Sequence, residues 1–207
     1  MQQHDDIVRA ALDRIVSSLD EVSAEIDELD AVASDGNHGQ HILAGATAAR
    51  DAAQAAPEGR ALHAAAEAWG QGEGFANPLW GKVLAAAADA EPDGPLAMVD
   101  AALRTLEAST DAHIGDKSIV DTLAPALGDA HVHLTRGESL ADATAHAAGV
   151  AEEAALETAA IEDRFDASNA DLGYPDPGAT SSAVILGALA AALAEGDDDE
   201  ADGADGA

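Results

Sequence analysis

From Ile7 to Leu29 the apolar residues Ile7, Ala11, Ile15, Leu19, Val22, Ile26 and Leu29 fall at steps of three or four, with Asp and Glu between them. A helix puts residues at that spacing on one face, so the chain opens with a long amphipathic helix that must bury one stripe against partners. Shorter stretches repeat the theme. Breaks rich in Pro, Gly and Asp leave helical segments at about 40–55, 60–71, 78–90, 95–108, 118–130 and 139–160 and from 177 onward. Pro78 suits a first helical turn, where its missing N–H costs nothing, and Ser139 suits an N-cap. That gives eight helices and no convincing strand.

Composition agrees with the period. Ala fills about a quarter of the chain and aromatic residues only 2%. Such a core is built from Ala, Leu, Ile and Val, and favours close-packed helices over sheets, which want β-branched and aromatic residues. At 207 residues without an internal repeat the expectation is one all-α domain over residues 1–195. From Gly196 the run Asp197-Asp198-Asp199-Glu200 has no apolar partner to bury, and residues 196–207 read as a disordered acidic tail.

The 9 Lys and Arg against 40 Asp and Glu leave a net charge of -31, which repels nucleic acid and anionic membrane. An acidic excess spread along the whole chain, with Lys82 and Lys117 the only lysines, is the composition of a halophilic protein hydrated in salty cytoplasm. The absence of Cys excludes disulfides, thiolate metal sites and a Cys nucleophile. The first ten residues carry Asp5, Asp6 and Arg9, unlike a secretory leader, and no apolar run near 18 residues stands out. A soluble cytoplasmic protein is expected, with no nucleic-acid or membrane partner.

Polar residues collect at four helix junctions. At the first, Asp30, Asp35 and Asn37 bring three oxygen-bearing side chains near one turn, enough to hold a hard cation such as Mg2+; a helix stop followed by an acidic cap is an equally good reading of the spacing. The other junctions lead Gly and small residues into a helix start, where free backbone N–H groups suit phosphate. The pairs His131-Val132-His133 and His38-x2-His41 lack a third ligand at suitable spacing and read as solvated or capping histidines. Lys117 reads as the partner of Asp116 or a neighbouring carboxylate rather than of phosphate.

Taken together, Asp30-x4-Asp35-Gly36-Asn37-His38-Gly39, Gly74-Phe75-Ala76-Asn77-Pro78-Leu79-Trp80-Gly81, Ile114-Gly115-Asp116-Lys117-Ser118 and Asp176-Pro177-Gly178-Ala179-Thr180-Ser181 resemble the nucleotide-binding L subunit of dihydroxyacetone kinase, in order and approximate spacing, over residues 5–195. The resemblance implies a closed barrel of eight antiparallel helices whose rim holds ADP or ATP through Mg2+. By position the metal ligands map to Asp30, Asp35 and Asn37. The nucleotide set maps to His38, Gly39, His41, Ala76 and Asn77, with Ser118, Arg164, Asp176, Pro177 and Gly178 closing over it. It also implies a separate K subunit that holds the hydroxyketone, in some members an M subunit that rephosphorylates resident ADP, and no catalytic residue on this chain. Homodimer formation is left open.

Three departures from the family pattern bear on activity. Asn37 stands where the family has a third aspartate; Glu73-Gly74-Phe75-Ala76-Asn77 replaces a Gly-Gly-Ala-Ser-Gly stretch; and Asp163-Arg164-Phe165 replaces a Gly-Arg-Ala-Ser-Tyr segment, leaving Arg164 as the stand-in for its arginine. They keep a second function in view: a degenerate paralogue that senses nucleotide or regulates a partner. A third reading is a helical protein that keeps the barrel and binds no nucleotide.

Overall fold

A computed structural model describes the backbone of residues 2–204 and the side chains of residues 3–196. The eight helices are α1 (Gln2–Asp30), α2 (His38–Ala55), α3 (Ala61–Gly70), α4 (Ala76–Ala90), α5 (Pro95–Ser109), α6 (Ile119–Thr135), α7 (Leu140–Glu157) and α8 (Pro177–Ala204), with short 3-10 turns at Glu91–Asp93 and Thr158–Ala160. No strand occurs among the described residues. Each helix packs on the next, and α8 packs back on α1, so the chain closes into a ring.

Long-range bonds fix the directions. Near the start of α1, Asp5 accepts from the N–H groups of Gly59 (2.6 Å) and Ala61 (3.1 Å) before and at the start of α3, and Arg9 donates to the Ala53 carbonyl near the end of α2 at 3.1 Å. Arg14 of α1 meets Glu195 far along α8 at 2.8 Å. Helix α1 is therefore antiparallel to both neighbours, as short connections between amphipathic helices favour.

The core follows the periodicity. Ile15, Leu19, Ile26 and Ile185 are buried, while Val22 and Leu189, expected beside them, are half-buried. Fully buried Ala46, Ala49, Ala53, Ala61 and Ala65 let α1, α2 and α3 approach closely. At the α3–α4 crossing a Cβ on Gly81 would overlap the backbone of Gly70, so only glycine fits there. Small side chains do not fill a ring of eight helices completely. An apolar cavity of about 210 Å³ remains inside, lined by residues such as Leu12, Trp69, Trp80, Leu127 and Leu186.

Two expectations about α8 are corrected. The helix does not end at Gly196; its backbone continues to Ala204, because extending a helix already nucleated by packing adds one hydrogen bond per residue fixed. Residues 205–207 of the expected tail lie outside the described residues. The segment Pro177–Gly196, with mean hydropathy 1.6, is also long and apolar enough to cross a membrane, contrary to the absence of such a run read from the sequence. Its place in the ring accounts for this: Ala179, Ile185, Leu186, Ala188 and Ala192 are buried where α8 packs on α1, α6 and α7.

Candidate functional site

Helices α2, α4, α6 and α8 all begin at one end of the ring, and His38, Ala76, Ser118, Ile119, Pro177 and Gly178 from their first turns line a single cavity of about 690 Å³. Helix starts carry free N–H groups and positive dipole ends, so four of them around one space make an anion-attracting field. The remaining wall comes from Asp30, Phe75, residues 108–112 at the end of α5 and the turn after it, Lys117, Asp163, Phe165 and Asp176.

Local hydrogen bonding decides which groups are free. The Asp30 carboxylate ends α1 and caps α2: its Oδ2 accepts from the N–H groups of Asn37 (2.9 Å) and His38 (3.3 Å). Ser118 caps α6 in a capping box, accepting from Val120 N–H at 3.2 Å while Asp121 accepts from Ser118 N–H at 2.7 Å. Asp176 accepts from Ala179 N–H at 2.7 Å at the start of α8. Helix α4 has no side-chain cap at Phe75, which leaves its first N–H groups open to a ligand.

His38 lies beside Asp30, and burial pushes its imidazole below the usual histidine range. Its Nε2 is 3.0 Å from Ser181 Oγ, and Ser181 spends its one proton on the Gly178 carbonyl at 3.1 Å. His38 must then be the donor, which sets the neutral Nε2–H tautomer and leaves Nδ1 an acceptor. A histidine held this way supplies no positive charge at neutral pH.

Burial pushes the Asp176 carboxyl up to about 7; the Ala179 N–H and the Lys117 charge oppose the rise, while Asp121 and Asp163 add to it. The folded protein thus holds a proton that the unfolded chain has lost between about pH 4 and 7, and stability falls as pH rises through that window. Asp176→Asn keeps an N-capping oxygen and never ionises. The stability of this variant relative to the parent is expected to rise by about 2 kcal/mol between pH 4 and pH 8, roughly half the ideal linkage because the rim is partly wet. Urea unfolding at the two pH values checks this, and a pH-independent difference would show that Asp176 ionises freely.

Of the thirteen residues expected at the site, Asp30, His38, Ala76, Ser118, Asp176, Pro177 and Gly178 line the cavity. Six do not. Asp35 is exposed and Asn37 half-buried on the turn before α2, outside the lining. Gly39 serves packing, because a Cβ there would overlap the Ser23 carbonyl of α1. His41 turns its ring to Glu73 at 3.5 Å. Asn77 is buried, with Oδ1 accepting from Trp69 Nε1 at 2.9 Å and Nδ2 donating to the carbonyls of His41 (2.8 Å) and Glu73 (2.7 Å), so its amide has nothing left for phosphate. Arg164 donates to Asp116 at 2.6 Å and to the Asp111 carbonyl at 2.9 Å, tying the connection before α8 to the loop before α6.

Sequence reasoning missed Phe75, Thr110, Asp111, Asp163 and Phe165 as lining residues. Phe75 carried a signal, an aromatic beside Gly74 just ahead of a helix start; the others sit in irregular segments with no period. Lys117 lines the cavity by position, but its ammonium points away from it. Nζ donates to the carbonyls of Tyr174 (2.9 Å), Asp171 (3.1 Å), Thr158 (3.2 Å) and Ile161 (3.5 Å) and lies 3.4 Å from the Asp171 carboxylate; its partner is thus a carboxylate distant in sequence and not the expected Asp116, which is taken by Arg164.

Comparison with known proteins adds an independent line. A family profile described as the DAK2 domain matches residues 32–191. A D-erythrulose kinase of Mycolicibacterium smegmatis is 32% identical over 201 residues, covering 89% of this chain and 35% of that protein. An L-erythrulose kinase of Pectobacterium atrosepticum is 32% identical, covering 90% of this chain and 34% of that protein. Among solved structures, the native dihydroxyacetone kinase of C. freundii superposes with a TM-score of 0.71 at 22% identity, over 89% of this chain and 34% of that one. The same enzyme in complex with AMP-PNP and Mg2+ gives 0.68 at 21% identity, over 89% of this chain and 33% of that one. The chain therefore spans about a third of the length of each, and the superposed third of these structures shares its helical fold.

Proposed function

The chain belongs to the DAK2 domain family, and on that premise we propose that it is the nucleotide-binding part of a dihydroxyacetone-type kinase, supplying the phosphoryl donor to a small hydroxyketone. The observation that carries this reading is the chemistry of the cavity wall. Asp30, Asp111, Asp163 and Asp176 bring carboxyl groups to it, and the one cationic side chain among the lining residues, Lys117, is spent on carbonyls and Asp171. A polyphosphate is repelled by such a wall on its own and accepted only with divalent cations between, while the uncapped start of α4 takes up part of its remaining charge.

Asp30, whose Oδ2 is engaged by backbone N–H groups, would offer its remaining oxygen to Mg2+; Asp35 and Asn37 stand on the same turn outside the cavity lining and would join the ligand set only by turning toward it. Phosphate oxygens of ADP or ATP would lie at the uncapped start of α4 near Ala76, and the exposed rings of Phe75 and Phe165 offer apolar faces at the rim. Mg2+ supplies charge neutralisation to phosphoryl transfer, and the residues here hold and orient. The hydroxyketone, of the erythrulose or dihydroxyacetone class by the names of the relatives, would be held by a K-type partner. An M-type phosphotransferase is the alternative source of phosphate, and cytoplasm the place of action. Glu73, which argued for a degenerate nucleotide sensor, faces His41 and solvent and adds no charge to the cavity lining, which favours the kinase reading.

Calorimetric titration in molar KCl tests this. ADP and ATP are expected to bind with Mg2+ and not without it; no Mg2+-dependent binding would overturn the nucleotide reading. Asn37→Asp is expected to tighten Mg2+-ADP by about 1–2 kcal/mol, of the order of a charge-assisted contact. An unchanged or weaker affinity would remove Asn37 from the metal.

A further inference from the structure

At the other end of the ring, where α6 ends and α7 begins, two histidines and a glutamate meet. His133 Nδ1 is 2.7 Å from Glu138 Oε2, His146 Nε2 is 3.8 Å from the same oxygen, and the two imidazoles stack with centroids 3.9 Å apart. One donor atom from each of the three lies within 4.8 Å of the others. His133 lies fourteen residues beyond Ile119, so at the rise of an α-helix the group is about 21 Å from the cavity end of α6. The sequence shows only the His131-Val132-His133 pair, read there as solvated or capping for want of a third ligand, because His146 comes from a different helix; His133 is instead largely buried against Glu138.

We propose that His133, Glu138 and His146 form a binding site for a divalent transition metal of the Zn2+ class, separate from the nucleotide cavity. Two neutral imidazoles and one carboxylate are a donor set that prefers Zn2+, Co2+ or Ni2+ to Mg2+, which wants oxygen alone. Zinc binds nitrogen and carboxylate oxygen at about 2.0–2.2 Å, so ligand atoms on one ion stand a little over 3 Å apart, between the two distances observed to Glu138. The stacked rings must part slightly to admit the ion. His146, with 56% of its side chain exposed, is free to make that movement and leaves room for water as a fourth ligand.

A second observation points the same way. Asp129 sits one helical turn before His133, with Oδ2 3.7 Å from His133 Nε2, and that oxygen is buried without a hydrogen-bond partner. With a metal on Nδ1, the proton of His133 resides on Nε2, facing Asp129. This is the carboxylate–histidine–metal arrangement that fixes a ligating imidazole. Binding would clamp the Arg136–Ser139 turn, where Gly137 takes a positive φ of 86°, and join the end of α6 to α7.

The test is a titration of the chelator-stripped full chain with Zn2+ in molar KCl containing excess Mg2+, which saturates oxygen-only sites such as the nucleotide cavity. One Zn2+ per chain is expected, together with a raised Tm, and Co2+ in its place should give visible ligand-field bands. His146→Ala, an exposed change that leaves the fold intact, is expected to weaken Zn2+ at least tenfold and bleach the Co2+ spectrum. Asp129→Asn should weaken it tenfold to a hundredfold, as the loss of an orienting carboxylate does elsewhere. No stoichiometric Zn2+ under these conditions, an affinity unchanged in His146→Ala, or a site lost instead with His41→Ala would each overturn the proposal.

Discussion

Replacing Lys117 by Met is expected to destabilise the protein by about 3 kcal/mol and to weaken Mg2+-nucleotide binding at least tenfold, as follows when one partner of a buried ion pair is removed. Lys117 is fully buried at the turn into α6, in a left-handed conformation with φ 61°. Met would have to adopt the same backbone, so the variant isolates the loss of the ammonium. That group is the common donor to carbonyls of Thr158, Ile161, Asp171 and Tyr174, spread along the long connection from α7 to α8. Without it the Ile161 and Tyr174 carbonyls lose their partner, the Thr158 and Asp171 carbonyls keep only the N–H groups of Ile161 and Tyr174, and the Asp171 carboxylate, whose Oδ1 already lacks a partner, stays buried with unmet charge. The connection should detach and take Asp163 and Phe165 away from the cavity wall. Urea unfolding and limited proteolysis within 161–176 measure the two halves of the effect. The double variant Lys117→Met/Asp171→Leu should recover part of the stability, since apolar replacement of a whole buried pair costs far less than breaking it. Unchanged stability and protease resistance in the single variant would mean that the connection is held without Lys117, by Arg164 and by the N–H groups of Gly173 and Asp176 on the Ala159 carbonyl and Thr158 Oγ1.

This dependence on Lys117 also explains which parts of the site were legible in the sequence. Helix starts announce themselves locally: Asp30, Ser118 and Asp176 are polar side chains next to apolar periodicity, and each caps a helix at the cavity. The helices themselves were legible for the same reason, except at the start of α1, at the end of α6, which runs on from the expected 130 to Thr135, and in α8, whose acidic extension lacks the apolar period used to place it. The connection 161–176 has no period at all. Its path is set by bonds to Lys117 and Arg164 that span about forty to sixty positions, and no local pattern encodes such a path. Gly39 and Asn77 show a different limit. A glycine or an amide at a helix start serves equally to approach a phosphate or to let two helices touch, and the choice is made by Ser23 and Trp69, neither of which adjoins it in sequence.

Asn77→Ala gives the largest expected loss at a single position, about 3–5 kcal/mol, through three hydrogen bonds broken in a buried setting and the cavity left behind. Asn77 lies at the second residue of α4 and is almost fully enclosed. It joins the Trp69 indole of α3, the His41 carbonyl of α2 and the Glu73 carbonyl of the preceding turn, and it fits only because Gly45 and Gly72 have no Cβ to strike it. Truncation orphans the Trp69 indole N–H and the Glu73 carbonyl, while the His41 carbonyl, inside α2, keeps its intrahelical partner. Asn77→Asp should be at least as damaging, because a second oxygen would replace the amide N–H groups facing those carbonyls. The uncapped start of α4 is aimed at the cavity by this cluster, so nucleotide affinity should fall along with stability, in a variant whose changed side chain never touches the ligand. The two roles separate by measurement: urea unfolding gives the stability, and titration with Mg2+-ADP well below the variant's Tm gives the affinity. If Asn77→Ala keeps the parent's stability and loses only affinity, the amide is a ligand group, and the buried network is not what holds α4 in place.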